Sequence, residues 1–106
     1  MHKVLGVATM LALLGTPAAW ANEELAAKHD CFACHDLDHK KVGPAFRDVA
    51  ARYRYYGDPN APVWLAKAIR GGTRYTWGGI SMPSHPSLNE ADAKTLAEWI
   101  LSLPVE

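Results

Sequence analysis

Five consecutive residues, Cys31-Phe32-Ala33-Cys34-His35, place two thiols and an imidazole at positions i, i+3 and i+4. On a helical turn these positions share one face, so all three groups can address the same flat object. C-x-x-C-H is the attachment signature of a c-type haem: each thiol adds to a porphyrin vinyl group to give a thioether, and the imidazole reaches the iron from the same side. Three other chemistries use part of this set. A redox dithiol shares C-x-x-C but belongs beside a βαβ pattern. An exported chain can close the two cysteines into a disulfide. Zinc could take Cys31, Cys34 and two of His29, His39 and His85.

A haem that only carries electrons needs a sixth ligand. Downstream of Ala21 the chain has one methionine, Met82, in a Gly/Pro-rich stretch and followed by Pro83. A stiff irregular segment there can press the thioether against the second face of the ring. The competitors are His85, three residues on, and His39, in the loop after the motif. A methionine and histidine pair raises the reduction potential relative to two histidines, because the soft thioether favours ferrous iron, and it closes the metal to substrates.

These residues need a scaffold, and the chain is short. It has 106 residues, with 11 Lys+Arg against 11 Asp+Glu, and so is at most one small domain. A neutral balance supplies no basic face for polyphosphate, so no nucleic-acid partner is expected. Residues 1–21 combine a short positive start (His2, Lys3), an apolar run from Val4 to Leu14, a Gly15-Thr16-Pro17 break and the small-x-small site Ala19-Trp20-Ala21. This is the pattern of a secretory signal peptide cleaved after Ala21. The apolar run makes about 16 Å of helix at about 1.5 Å per residue, short of the roughly 30 Å of a hydrocarbon core. The expectation is a periplasmic protein of residues 22–106, without stable membrane insertion after signal cleavage. A domain of that size has a thin core and often relies on a cofactor to fill it.

Four helices are expected and no convincing strand. Glu23 to His35 opens on helix formers with acids at the start. Ala45 to Tyr55 carries Phe46, Val49, Ala50 and Tyr53 as an apolar stripe. Asn60 to Arg70, capped by Asp58 or Asn60, is stopped by Gly71-Gly72. The last helix starts from the cap Asn89 and runs towards Pro104. Thr73 to Leu88 has no sustained period and reads as a long irregular loop of the kind that is usually functional or disordered. The Arg52-Tyr53-Arg54-Tyr55-Tyr56 run is either a docking surface or a helix end with packed rings and snorkelling arginines, the second being the commoner use of such residues.

With Cys31–His35 near the start, Lys41-Val42-Gly43-Pro44-Ala45-Phe46 behind it, Trp77-Gly78-Gly79-Ile80-Ser81-Met82-Pro83 later and Leu96-Ala97-Glu98-Trp99-Ile100-Leu101 at the end, the chain resembles a small bacterial class I cytochrome c over essentially all of Asn22–Glu106. The resemblance implies an all-α fold wrapped around one covalent haem c held through Cys31 and Cys34, with His35 and Met82 on the iron. It implies a non-enzymatic one-electron carrier between redox proteins, a reductase or an oxidase, with an electron-transfer subunit of a periplasmic dehydrogenase as the alternative. It also implies that the Pro44 carbonyl accepts a hydrogen bond from the His35 ring, and that the Trp77 indole reaches a haem propionate. Val42, Leu65, Ile69, Ile80, Leu96 and Ile100 would line the pocket. Ala68 stands where some relatives carry a basic propionate partner, leaving Arg70 or Arg74 as substitutes. The first helix offers Ala26 or Ala27 where a bulky ring is usual at the crossing with Trp99, and Phe32 is the residue to fill that gap.

Overall fold

A computed structural model describes residues 18–105, so the expected signal segment up to Pro17 lies outside the described residues. Four helices make up the described fold: α1 (Ala18–Lys28), α2 (Phe46–Tyr56), α3 (Ala61–Gly71) and α4 (Glu90–Leu101), with a 3-10 turn at Cys31–Ala33. Among the described residues the only extended pairing is a single antiparallel bridge between Thr73 and Met82.

Local chemistry accounts for the boundaries. Gly57, at φ 66°, ends α2 and donates its N–H to the Tyr53 carbonyl at 3.0 Å. The entry to α3 is organised by Asp58 rather than by the Asn60 side chain. One Asp58 carboxylate oxygen accepts from the Asn60 N–H at 2.8 Å and the other from the Trp64 indole at 3.1 Å. Asn89 caps α4 as its type predicts, its Oδ1 accepting from the Asp92 N–H at 2.7 Å.

The expectation of one helix from Glu23 to His35 needs correction at both ends. Helix α1 already includes Ala18 to Ala21, three of them alanine and with no Gly or Pro from there to Glu23, so Glu23 and Glu24 lie mid-helix. It then stops at Lys28, because Asp30 takes a left-handed conformation at φ 61° and turns the chain before Cys31. Helix α4 packs against each of the other three. Its Leu96, Ala97, Trp99 and Ile100 join Ala26, Phe46, Val49, Leu65, Ile69 and Leu88 in one apolar core. Small Ala26, fully buried, lets α1 come close to α4. The α1 residue buried at that crossing is Ala26. A file of rings lies beside it instead, Phe32 on Phe46 at 5.9 Å and Phe46 edge-on to Trp99 at 5.8 Å.

Candidate cofactor site

The thiols and the imidazole sit on one helical turn detached from α1. The Cys31 carbonyl accepts from the His35 N–H at 2.9 Å, a full-turn bond, and from the Cys34 N–H at 3.2 Å. The loop after the motif then folds back over it. Gly43 donates its N–H to the Cys34 carbonyl at 2.8 Å, and the Lys41 ammonium reaches the Phe32 carbonyl at 2.9 Å. A Cβ on Gly43 would lie 2.5 Å from Cε1 and 2.9 Å from Nδ1 of His35, so the loop can cross the ring only where it has no side chain.

This crossing delivers the Pro44 carbonyl to His35. The two lie 2.7 Å apart, and since a carbonyl can only accept, Nδ1 carries the proton. The neutral imidazole is thereby fixed with its lone pair on Nε2, the arrangement in which a histidine binds a metal. The ring also stacks on Phe46, centroids 4.8 Å apart.

Cys34, His35, Pro44, Trp77 and Met82 all line one cavity of about 220 Å³. Its walls are largely apolar: Val42 and Phe46 beside the motif, Leu65 and Ile69 of α3, Ile80 of the long loop and Ile100 of α4. Of the expected lining residues Leu96 alone is placed elsewhere, 1% exposed in the core between the helices. Val49 and Tyr53, read from the sequence only as a helix stripe, line the cavity as well. Cys31 lies a turn before Cys34, half-buried and packed against the core. Burial raises its thiol pKa, its own backbone N–H opposes that shift, and the Asp30 carboxylate adds to it.

Met82 is brought to the cavity by the bridge at the neck of the long loop, where it and Thr73 exchange backbone hydrogen bonds of 3.0 and 3.1 Å. The competing histidines are placed differently. His39 is exposed, and the His85 ring is bonded to the Ile69 carbonyl at 3.1 Å. Among the described residues no group of three or more His, Cys, Asp or Glu is placed to hold a metal ion, and Cys31 and Cys34 are not joined as a disulfide. A largely apolar cavity lined by a thiol, an oriented imidazole and a thioether suits a covalently attached haem.

Neither Arg70 nor Arg74 lines the cavity. Arg70 turns away, its Nε donating to the Leu88 carbonyl at 2.9 Å and its Nη1 lying 3.5 Å from Glu90, while Ala68 lines the cavity. The cation beside Trp77 is Arg52. Its guanidinium lies 4.3 Å from the indole centroid, and its Nη1 donates to the Thr76 carbonyl at 2.7 Å. The signal in the sequence was spacing: Arg52 follows Val49 by three residues and so flanks the face that carries Val49 and Tyr53. Arg54 instead reaches the carbonyls of Leu101 and Leu103 at the end of α4, at 3.2 and 3.5 Å. Both arginines of the run thus serve packing, whereas Tyr55, at 85% exposed, and Tyr56 stand free on the surface.

Desolvation raises the Tyr53 phenol above its usual pKa, with Arg52 pulling the other way. The folded state therefore binds more protons than the unfolded one between the two pKa values. The contribution is fully present below about pH 10 and is lost as pH rises through the folded value. Tyr53→Phe is expected to flatten the alkaline limb of a stability curve measured by denaturant unfolding, with little change at neutral pH.

Comparisons with known proteins show which family the chain is similar to. The family model described as Cytochrome c matches residues 21–104. Cytochrome c-552 of Nitrosomonas europaea is 46% identical over 93% of this chain and 94% of its own length. Cytochrome c-552 of Hydrogenobacter thermophilus is also 46% identical, over 97% of this chain and 99% of its own. The crystal structure of the wild-type Nitrosomonas protein superposes with a TM-score of 0.73 at 45% identity, covering 77% of this chain and 99% of that one. The class 1 cytochrome MtoD of Sideroxydans lithotrophicus gives 0.65 at 30% identity, covering 77% and 91%.

Proposed function

The chain belongs to the cytochrome c family, and from that premise we propose that it is a periplasmic one-electron shuttle between a bacterial electron donor and a terminal reductase or oxidase. As a member of that family with two cysteines it holds one covalent haem c and is an electron carrier, not an enzyme. When bound, that group supplies the ferric–ferrous couple.

In this proposal Cys31 and Cys34 would hold the haem through thioethers, and His35 and Met82 would bind its iron. Pro44 has a positioning role. By accepting from Nδ1 it keeps Nε2 a strong donor and holds the ring in one plane, so the histidine does not reorient when the charge on its partner changes. Val42, Leu65, Ile69, Ile80 and Ile100 exclude water, which favours the less charged ferrous state. Trp77, with Arg52 stacked on it, stands at the polar margin of the site. The 2.7 Å bond from His35 to Pro44, in a cavity that also holds Met82, is the observation that carries the proposal.

Residues 1–21 are proposed to be a signal peptide. Cleavage after Ala21 would remove the first turn of α1, and no helix among the described residues is long and apolar enough to cross a membrane. Partner contact is proposed where the cavity-lining Val42 and Ile80 are 51% and 61% exposed and Pro83 is exposed too, with the Lys41 cation preceding Val42. An apolar patch of that kind with a charged edge suits the small interfaces of transient redox encounters.

The deciding experiment is a haem stain on denatured protein made in a host competent for cytochrome maturation. Full-length product should stain, and Cys31→Ala with Cys34→Ala should abolish the stain. A colourless, iron-free native product would refute the proposal. The exposed Tyr55 and Tyr56 favour a second reading, a cytochrome subunit fixed to a dehydrogenase. Gel filtration after gentle extraction separates the two: the shuttle elutes as a lone small species, the subunit as a stable heteromer.

A further inference from the structure

Helix α3 ends among polar groups that its own ladder cannot satisfy, since the last carbonyls of any helix lack intrahelical donors. Here they are satisfied by the far end of the long loop. The Ile69 carbonyl accepts from His85 Nδ1 at 3.1 Å, and the Arg70 carbonyl accepts from the His85 backbone N–H at 2.9 Å. Arg70 completes the tie in the other direction through its Nε bond to the Leu88 carbonyl at 2.9 Å. One residue of the loop thus caps α3 through both its side chain and its backbone.

His85 stands three residues after Met82, and the two residues between them include the stiff Pro83. On its other side Met82 is held by the bridge to Thr73, two residues beyond the end of α3. Both tethers of Met82 therefore lead to the same helix end, the one whose Ile69 lines the cavity. The Nδ1 bond also commits the imidazole to a carbonyl of α3, and His85 has no place among the residues lining the cavity.

We propose that His85 is a positioning residue, not an alternative iron ligand: by capping α3 it holds Met82 in place, so the grip of the thioether on the iron is set by a hydrogen bond made to a helix end. This inference rests on Met82 being the sixth ligand. Asparagine can offer an amide N–H close to where Nδ1–H stands, whereas leucine fills similar space without a donor. A single side-chain hydrogen bond is worth a factor of about five in an equilibrium.

The experiment uses ferric and ferrous holoprotein in three forms, unsubstituted, His85→Leu and His85→Asn. It reads the affinity of the ferric iron for cyanide, which must displace the thioether, and the NMR signal of the Met82 methyl, which the porphyrin ring current shifts when the methionine is bound. His85→Leu is expected to bind cyanide about fivefold more tightly and to move the methyl signal. His85→Asn should return both towards the unsubstituted protein. In the unsubstituted protein the His85 Nδ1–H should give a slowly exchanging proton signal, a readout that needs no variant to fold. Equal behaviour of the leucine and asparagine variants, no change in either readout, or a freely exchanging Nδ1–H would overturn the proposal. No ring-shifted methyl in the unsubstituted protein would show instead that Met82 is not the ligand, which removes the premise as well.

Discussion

Met82→Ala is expected to lower the reduction potential by on the order of 100 mV and to open the iron to small ligands. The thioether is soft and uncharged, so it stabilises ferrous iron. Water or hydroxide in its place is hard and stabilises the ferric state. Met82 sits beside Ser81 and Pro83 in a largely apolar cavity, and the imidazole of His85 is engaged with the Ile69 carbonyl. No histidine of the described cavity other than His35 stands ready to replace it. Potentiometric titration gives the first quantity and cyanide or carbon monoxide binding the second. Met82→His separates them, since a second imidazole lowers the potential while keeping the site closed. An unchanged spectrum and potential in the alanine variant would take Met82 out of the ligand set. His39→Ala, at an exposed position, is the control and should change neither.

Why so much of this site could be read from residue order follows from which interactions are local. Cys31, Cys34 and His35 share a face because one helical turn brings them together, whatever the rest of the chain does. The stripe Phe46, Val49, Ala50 and Tyr53 and the cap at Asn89 are equally short-range, and α2 and α4 form where their spacing places them. The break before Cys31 is different. Asp30 takes a left-handed conformation that costs most side chains energy, and nothing in Lys28-His29-Asp30 marks the turn as a glycine would. The Thr73 and Met82 bridge was also out of reach, since a single pair has no alternating pattern to betray it. Arg52 escaped for a third reason. Its partner Trp77 lies in another segment, and only the tertiary fold decides which of several arginines meets an indole. The last two misses are contacts made beyond one helical turn, and both fall on the one segment, Thr73–Leu88, that carries Met82.

That clustering singles out Gly72, where α3 passes into the loop. Its backbone lies at φ 78° and ψ 176°, a region that is essentially glycine's alone. A Cβ there would collide with the Met82 carbonyl oxygen and come within 3.0 Å of Pro83 C and Ser84 N. All three are backbone atoms, so no side chain can rotate away to make room. Gly72→Ala must therefore either twist the end of α3 or push the Met82–Ser84 strand outwards. Backbone strain of about 1–3 kcal/mol and overpacking of about 1–3 kcal/mol act together, and the expected loss is about 2–6 kcal/mol. A small domain has only about 5–15 kcal/mol to lose. The adjacent Gly71→Ala is the control, because a Cβ there meets nothing within 4 Å. Alanine at that helical position should be neutral or slightly stabilising. Denaturant unfolding of the pair gives the stability difference, and cyanide binding shows whether the strand has moved. If the sulfur is held through this neck, Gly72→Ala weakens its grip on the iron without altering any atom of Met82, and Gly71→Ala does not. Equal stability and equal cyanide affinity in the two variants would mean that the neck yields freely and that Met82 is placed by something other than its backbone.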